Sequence, residues 1–542
     1  MPFNSESELA ASIVKEWEQL SGNRGTWESH WQEIADRMYP SMNRNFVTHQ
    51  NLTKGDKRNE QLFDSTASLA LSKFAAILDS LLTPVNQKWH RLISSSDELN
   101  KNREVNMWFD DVNRTLFKQR YSPKANFASQ NQLNFKSLGA FGSGALYIDP
   151  LGSEPGLRYK NVHLGEAYFV ENHQGIVDKV IRNFAMTARQ IHQRWGERTP
   201  EKVRTALEQN GEKEFYVLHY VGPRENVDPT RDDFRGMPHV SYYLVQECRE
   251  IMEEGEYTTF PYAVSRYEQS PNEVYGRSPA MEVLPSIKTL NEQKKTLLKQ
   301  GHRAVDPVLL VHDDGILDTF SMKPGHANAG GVTKDGRPLV HTLPAGRVDI
   351  GRDMMEDERA LINESFLVTL FQILVETPNM TATEVMERAK EKGMLLAPTL
   401  GRQQSERLGP QIERELDILS AQGLLPDMPG ILIEAGADFK VEYDSPLSRV
   451  QRAEEASGLM RTIEMTLNYV NVTGDASPLD HYNMDVIVPE LADINAVPTK
   501  WRNSKEDIMA LRKQRADAAK EEKMIQAGPS MAAMAKAGQQ GG

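Results

Sequence analysis

The spacing of apolar residues changes twice along the chain, and this bounds the fold more tightly than any other feature. Up to about Phe141 apolar side chains recur every three to four residues, the period of a helix buried on one side. Leu9, Ile13, Trp17 and Leu20 share one face, Trp27, Trp31, Ile34 and Met38 the next, and Phe74, Ile77, Leu78 and Leu81 a third. Val105, Trp108, Val112 and Leu116 mark a further helix, and Gly139, Gly142 and Gly144 close this part. Between Ala145 and Tyr262 the period drops to two. Ala145–Ile148, Ile176–Phe184, Glu214–Val221 and Val240–Cys248 have the aromatic and β-branched content of strands. Glu214–Val221 carries apolar residues on both faces, which predicts a strand covered on both sides. Thr187–Gln209 interrupts the strands with a helical pattern, and Gly255 is expected in a turn toward Tyr257–Tyr262.

From Ser278 the helical period returns. Leu284, Ile287, Leu290 and Leu298 line one side of a helix that Pro285 opens and Gly301 is expected to end. Val305–Val311 reads as a strand, and Gly325–Gly336 as a glycine-rich connection. Ile362, Phe366, Leu370 and Leu374 repeat every four residues. Thr381 with Glu384 fits a capping box opening a long helical stretch, with Leu408, Ile412, Leu416 and Leu419 as its apolar side and Pro398 and Pro410 as interruptions. Pro446–Val470 and Lys505–Lys523 are helix formers, and Met524–Gly542 has little to bury. The fold class expected is α+β, mainly helical.

Several functions are excluded by what such chemistry requires. No G-x-x-x-x-G-K-[ST] phosphate loop, H-E-x-x-H zinc helix or G-x-S-x-G elbow occurs, and the single cysteine, Cys248, builds neither a disulfide nor a thiolate metal site. Asp353, Glu356, Asp357 and Glu358 read as a solvated helix start, and His163 and His173 as surface or hydrogen-bonding histidines. No catalytic residue, cofactor or metal is expected. The N-terminus lacks the basic and apolar regions of a signal peptide. The longest apolar run, Phe366–Val375, is half the ~20 residues that cross a bilayer, so no membrane insertion is expected. The net charge of −13 argues against a protein that grips nucleic acid over its whole surface, because grip comes from Lys and Arg neutralising phosphates.

Four segments, in order, resemble the head-to-tail connecting (portal) proteins of short-tailed bacteriophages. They are Thr83-Pro84 followed by Lys88-Trp89-His90-Arg91-Leu92; "FKSLGAFGSGALYID" from Phe135 to Asp149; Tyr275-Gly276-Arg277-Ser278-Pro279 with Leu290-Asn291-Glu292 in the following helix; and Thr381-Ala382-Thr383-Glu384-Val385 with "ERELDIL" beyond it. The resemblance spans about residues 10 to 440. It implies a ring, usually of twelve copies, at a capsid vertex of the virion, assembled in the host cytoplasm. Double-stranded DNA passes through such a ring, and a terminase motor, the capsid and tail adaptor proteins dock on it.

By the same resemblance residues 1–213 would form a wing, 214–267 a β-rich clip and 268–304 a stem helix packed through Leu284, Ile287, Leu290 and Leu298. Residues 305–445 would hold the wing return and a tunnel segment facing DNA through Thr377, Asn379 and Thr381, with Lys390 and Lys392 beyond it; 446–523 would form a helical crown and 524–542 a disordered tail. A ring of twelve such chains would carry a formal charge on the order of −150, which keeps DNA mobile in a channel. The alternatives are a scaffold or internal core protein, less in keeping with 18 Phe, 16 Tyr and 7 Trp and a β-rich centre, or a DNA-processing enzyme, for which the motifs are missing.

Overall fold

A computed structural model describes residues 6–42, 46, 55, 57, 59, 62–85, 87–152, 154–225, 227, 236–311, 321, 323–343, 348–369, 398–436, 439–443, 446–475, 477–494, 497, 499–504 and 506–520. The chain divides into two compact units, Met1–Gln87 with Gln119–Gln422, and Lys88–Lys118 with Gly423–Gly542. Helices are numbered in chain order as α1 Glu6–Asn23, α2 Gly25–Met38, α3 Thr66–Leu82, α4 Arg103–Arg120, α5 Phe127–Phe141, α6 Ala188–Trp195, α7 Glu201–Gln209, α8 Pro279–Glu282, α9 Leu284–Val305, α10 Val348–Ser365, α11 Gly409–Ala421, α12 Gly430–Glu434, α13 Pro446–Thr473 and α14 Met484–Ile494.

In the first unit a five-stranded antiparallel sheet runs β4 (Ala167–Glu171), β5 (Val177–Thr187), β6 (Glu214–Pro223), β7 (His239–Val245) and β8 (Glu250–Tyr257). Helices cover both of its faces, as the double apolar pattern of β6 requires. Ala188, Ile191 and Trp195 of α6 with Val203 and Ala206 of α7 pack on Phe215, Val217, Tyr243 and Val245. Ile13, Val14 and Trp17 of α1 pack on Tyr168, Ile181, Leu218 and Leu244 across the sheet. A capping box at Thr187 and Gln190 starts α6 directly from the end of β5.

A second, three-stranded sheet has the order β3 (Leu157–Val162), β2 (Ser143–Pro150), β9 (Tyr262–Arg266), with β2 buried along Ser143–Ile148. The helices α3, α5, α9 and α10 complete this unit. Gly139 lets α5 approach α3 closely, since a methyl there would lie 2.7 Å from the Phe74 ring.

In the second unit β1 (His90–Ser94) pairs antiparallel with the strand Phe439–Tyr443. Asn113 of α4 holds β1 by accepting from the Leu92 N–H at 3.2 Å and donating to Phe109 O at 2.8 Å. The Trp108 indole donates to Pro426 O at 3.0 Å. The long helix α13, α14 and a helix at 506–520 follow.

Several expectations need correction. The hairpin between β7 and β8 turns at residues 246–249, not at Gly255. Arg249 takes the left-handed conformation (φ +54°) there, and Gly255 sits inside β8 opposite Ser241. β6 pairs with β5 along Val180–Thr187, so β6, β7 and β8 continue a sheet begun upstream, while β9, also within 214–267, joins the three-stranded sheet. α9 passes through Gly301 and ends at Val305, and the following strand is only Leu309–Val311, paired with Val340–Thr342. α10 begins at Val348, so Asp353–Glu358 lie inside it and not at its start. Leu370, Leu374 and residues 524–542 fall outside the described residues.

Where the two sheets of the first unit face each other, the packing is polar and aromatic. His219 of β6 stacks on Tyr243 at 3.9 Å, its Nδ1 meets the Tyr262 hydroxyl at 2.7 Å and its Nε2 meets Ser241 Oγ at 3.0 Å. Tyr147 of β2 reaches Tyr257 of β8 at 3.1 Å. Burial, with Arg182 and Arg194 acting in the same sense, holds the His219 imidazole well below the ordinary histidine range. The folded protein therefore keeps His219 neutral while the unfolded chain binds a proton as pH falls through about 6.5, so this group's stability is present above that pH and lost below it. Urea denaturation between pH 7 and pH 5 should show unfolding free energies falling with acid, by up to about 1.4 kcal/mol per pH unit from this residue. His219→Gln should be less stable at pH 7 and show a flatter dependence over the same range.

Candidate functional site

Two of the four segments that carry the family resemblance, Phe135–Asp149 and Tyr275–Pro279, meet in one place in the first unit. α5 ends on Gly142, whose left-handed backbone (φ +76°) returns its N–H to Leu138 O at 3.0 Å. β2 starts at the next residue. Gly142 O accepts from the Tyr267 N–H at 2.9 Å, and Ser143 Oγ accepts from the Gly276 N–H at 2.8 Å. Gly142 and Gly276 touch backbone to backbone: a Cβ on Gly276 would stand 2.3 Å from Gly142 O, and one on Gly142 would stand 2.1 Å from Gly276 O. No side chain but hydrogen fits at either position.

Ser278 finishes the junction. Its Oγ donates to Ala140 O at 2.9 Å and accepts from the Met281 N–H at 3.1 Å, which caps α8, and Pro279 fills the first helical position. Tyr275 packs its ring between Trp31 at 5.1 Å and Phe169 at 5.4 Å, with Trp27 at 5.8 Å. Arg24, buried in the same cluster, lies 3.7 Å over the Tyr168 ring, donates to Ala167 O at 2.6 Å and pairs with Glu28 at 2.8 Å. The five residues Tyr275 to Pro279 thus tie α2, α5, β2 and β4 to the start of α8 and α9.

α9 leaves this junction with Leu284, Ile287 and Leu290 buried inside the chain. Asn291 anchors it: Oδ1 accepts from the N–H groups of Phe63 (3.0 Å) and Asp64 (3.1 Å), and Nδ2 donates to Ile287 O at 3.0 Å. Asp64 receives the Thr66 N–H at 2.9 Å and pairs with Arg359 of α10 at 2.7 Å. Burial alone would raise the Asp64 carboxyl, but Thr66 and Arg359 hold it below the usual range. Farther along, the same stripe loses its cover: Leu298 is 45% exposed and Val305 88% exposed. On α10, Ile350, Met354 and Leu361 form an exposed apolar stripe of their own at helical spacing. Of the predicted stem residues, three are therefore core and one, Leu298, faces outward. Thr377, Asn379, Thr381, Lys390 and Lys392 lie outside the described residues.

The helical stretch 398–421 holds residues whose pattern gave no warning. Leu408, Ile412 and Leu419 are buried as expected, but Gln403, Arg407, Gln411, Arg414 and Glu415 are buried too. Glu415 takes a two-pronged bond from Arg120 (3.1 and 3.0 Å to Nε), the Tyr159 hydroxyl at 2.7 Å and Gln411 at 2.8 Å. Arg407 donates to Asn131, which itself donates to Asp79 at 2.6 Å, and lies 4.5 Å over the Phe135 ring. Burial lowers the Arg407 guanidinium to about 10, partly offset by Asp79. Spaced four apart, these polar residues look in sequence like a solvated face. The only hint is that they recur on one side of a helix whose other side is already apolar.

Among the described residues no three His, Cys, Asp or Glu side chains gather to hold a metal ion, and no helix is long and apolar enough to cross a membrane. The model of the family described as bacteriophage head to tail connecting protein matches residues 10–502. The probable portal protein of Bordetella phage BPP-1 is 29% identical over 516 residues, covering 93% of this chain and 91% of its own. The portal protein of Salmonella phage epsilon15 is 26% identical over 538 residues, covering 98% and 94%. A chain from the virion of a native gene transfer agent particle aligns over 73% of this chain and 85% of its own, at 11% identity and a TM-score of 0.37, too slight a likeness to argue from.

Because the junction leaves no room at Gly276, Gly276→Ala should force the Gly142 and Gly276 backbones apart. The expected loss is about 1–3 kcal/mol or more in denaturant unfolding, comparable to overpacking a core. Gly301→Ala, a change in open space within α9, serves as the control and should be neutral or slightly stabilising.

Proposed function

The chain belongs to the bacteriophage head to tail connecting protein family, and from that premise we propose how it serves as a portal subunit at the capsid vertex. Copies close into a ring, by the family's habit twelve, through which double-stranded DNA is packaged and later ejected. A terminase motor, the capsid and tail adaptor proteins dock on that ring, which assembles in the host cytoplasm before it becomes part of the virion. The observation that carries the ring is the apolar stripe of α9. It is core from Leu284 to Leu290 and then runs on, uncovered, through Leu298 to Val305. With Ile350, Met354 and Leu361 beside it on α10, it offers apolar surface that the single chain does not bury, as heterologous packing between identical neighbours requires.

In this reading α9 is the stem helix, and its junction-bound start belongs to the wing. The five-stranded sheet, with β6, β7 and β8 of the stretch 214–267 in it, belongs to the wing as well. The helices from Pro446 onward form the crown. The tunnel segment carries Thr377, Asn379 and Thr381, with Lys390 and Lys392 as a basic ring that steadies DNA inside an otherwise acidic assembly. At −13 per chain such a channel repels phosphate and lets the duplex slide.

Two experiments test this. Leu298→Asp with Leu361→Asp should weaken self-association by at least about tenfold, seen as loss of rings in negative stain and of the assembled mass in native mass spectrometry. Rings that persist would remove α9 and α10 from the subunit contact. Lys390→Ala with Lys392→Ala should leave rings intact but change the length of DNA retained in the capsid. A normal packaged length would count against a DNA-facing role for these lysines.

A further inference from the structure

The helical stretch that bears the buried polar residues is not α-helical throughout. Gln404–Leu408 forms a π-helical turn, followed at once by Gly409 and Pro410. Proline has no N–H to give the carbonyl four residues back, and its ring crowds that carbonyl. One extra residue in the preceding turn relieves the clash. Around this turn buried polar atoms lack hydrogen-bond partners: Arg402 Nη1, Gln403 Oε1, Arg407 Nε and Nη1, and Gln411 Oε1. Gln403, Arg407 and Gln411 are wholly buried. Each such group forfeits about 1–3 kcal/mol, so the present winding of this stretch is not the fully bonded one.

The sequence supplies a second winding at little loss. Residues before an extra-residue turn stand one position out of step with the helix after it. If the turn migrates toward the N-terminus, every residue it passes moves into the place its predecessor held, rotating about 100° and advancing about 1.5 Å. Gln404 then occupies the place of Gln403, whose Nε2 now donates to Arg266 O at 2.8 Å. The two side chains are identical, so that bond is remade.

We propose that the π-helical turn Gln404–Leu408 is a register switch in which Gln403 and Gln404 alternate in one buried hydrogen-bonding position beneath Arg266. Arg266 is a fixed point for both windings, since its guanidinium is held from outside the turning segment by Glu171 and by Gly175 O at 3.0 Å, while its bond to Glu406 at 3.0 Å belongs to the present winding. The far end of the helix stays in place through the bonds of Glu415 with Arg120 and Tyr159. The segment between these anchors turns about its own axis, changing which of its faces enters the core. This inference does not depend on the portal reading.

Hydrogen exchange read by mass spectrometry on the full chain tests it. Gln404→Leu cannot remake the bond to Arg266 O, so it removes the second register, and exchange across residues 399–408 should slow at least about fivefold. Gln403→Leu weakens the first register instead and should speed exchange there by a similar factor, with residues 411–421 unchanged in both. Exchange that is unaltered or faster in Gln404→Leu overturns the switch. That variant decides alone if Gln403→Leu fails to fold, because its altered side chain is only partly buried in the present register.

Discussion

The contact between the backbones of Gly142 and Gly276 governs the rest of the first unit. Each carbonyl stands where the other residue's Cβ would be. That closeness lets Tyr267, Ser143 and Ser278 bond across the gap and brings the end of α5, the start of β2, the end of β9 and the cap of α8 to one point. Move these strands apart by the width of a methyl and three hydrogen bonds go together. The direction of α9 follows from this point, because Ser278 and Pro279 decide where the helical segment begins.

Buried charge is the second constraint, and it is handled in two ways. Arg120 and Glu415 form a pair whose remaining bonding capacity is met by Tyr159 and Gln411. Such a pair offsets its own desolvation when geometry is this complete, and adds specificity more surely than stability. Arg407 is treated otherwise. It reaches Asp79 only through Asn131 and leaves two guanidinium nitrogens unmet. An apolar side chain would cost less there, so stability does not account for the arginine.

Much of the fold was legible because burial follows period. The amphipathic stripes of α1, α2, α3 and α9 and the two-faced strand β6 all emerged from spacing alone. Spacing misled where local signals compete. Gly255 looked like a turn, yet Arg249 supplies the left-handed residue and Gly255 stays in its strand. Gly301 looked like a helix end, but a glycine in open space on a helix surface is tolerated. The acidic run Asp353–Glu358 looked like a helix start and lies within one. Of the four proposed stem residues, three are covered by the chain itself, and only the exposure of Leu298 distinguishes it from the others.

What the sequence determined by itself is the change from helical to strand period and back, the acidic balance and the motifs that mark the connector family, since each is a property of neighbouring residues. Tertiary structure alone decided that Tyr275 to Pro279 meet Gly142, and that β5 and β6 join one sheet. It alone decided that Gln403, Arg407, Gln411 and Glu415 turn inward. The reason is physical: a polar side chain four residues from another has the same spacing whether it faces water or a partner. Only the elements packed around it, here Asn131, Tyr159 and Arg120 from distant parts of the chain, make burial affordable.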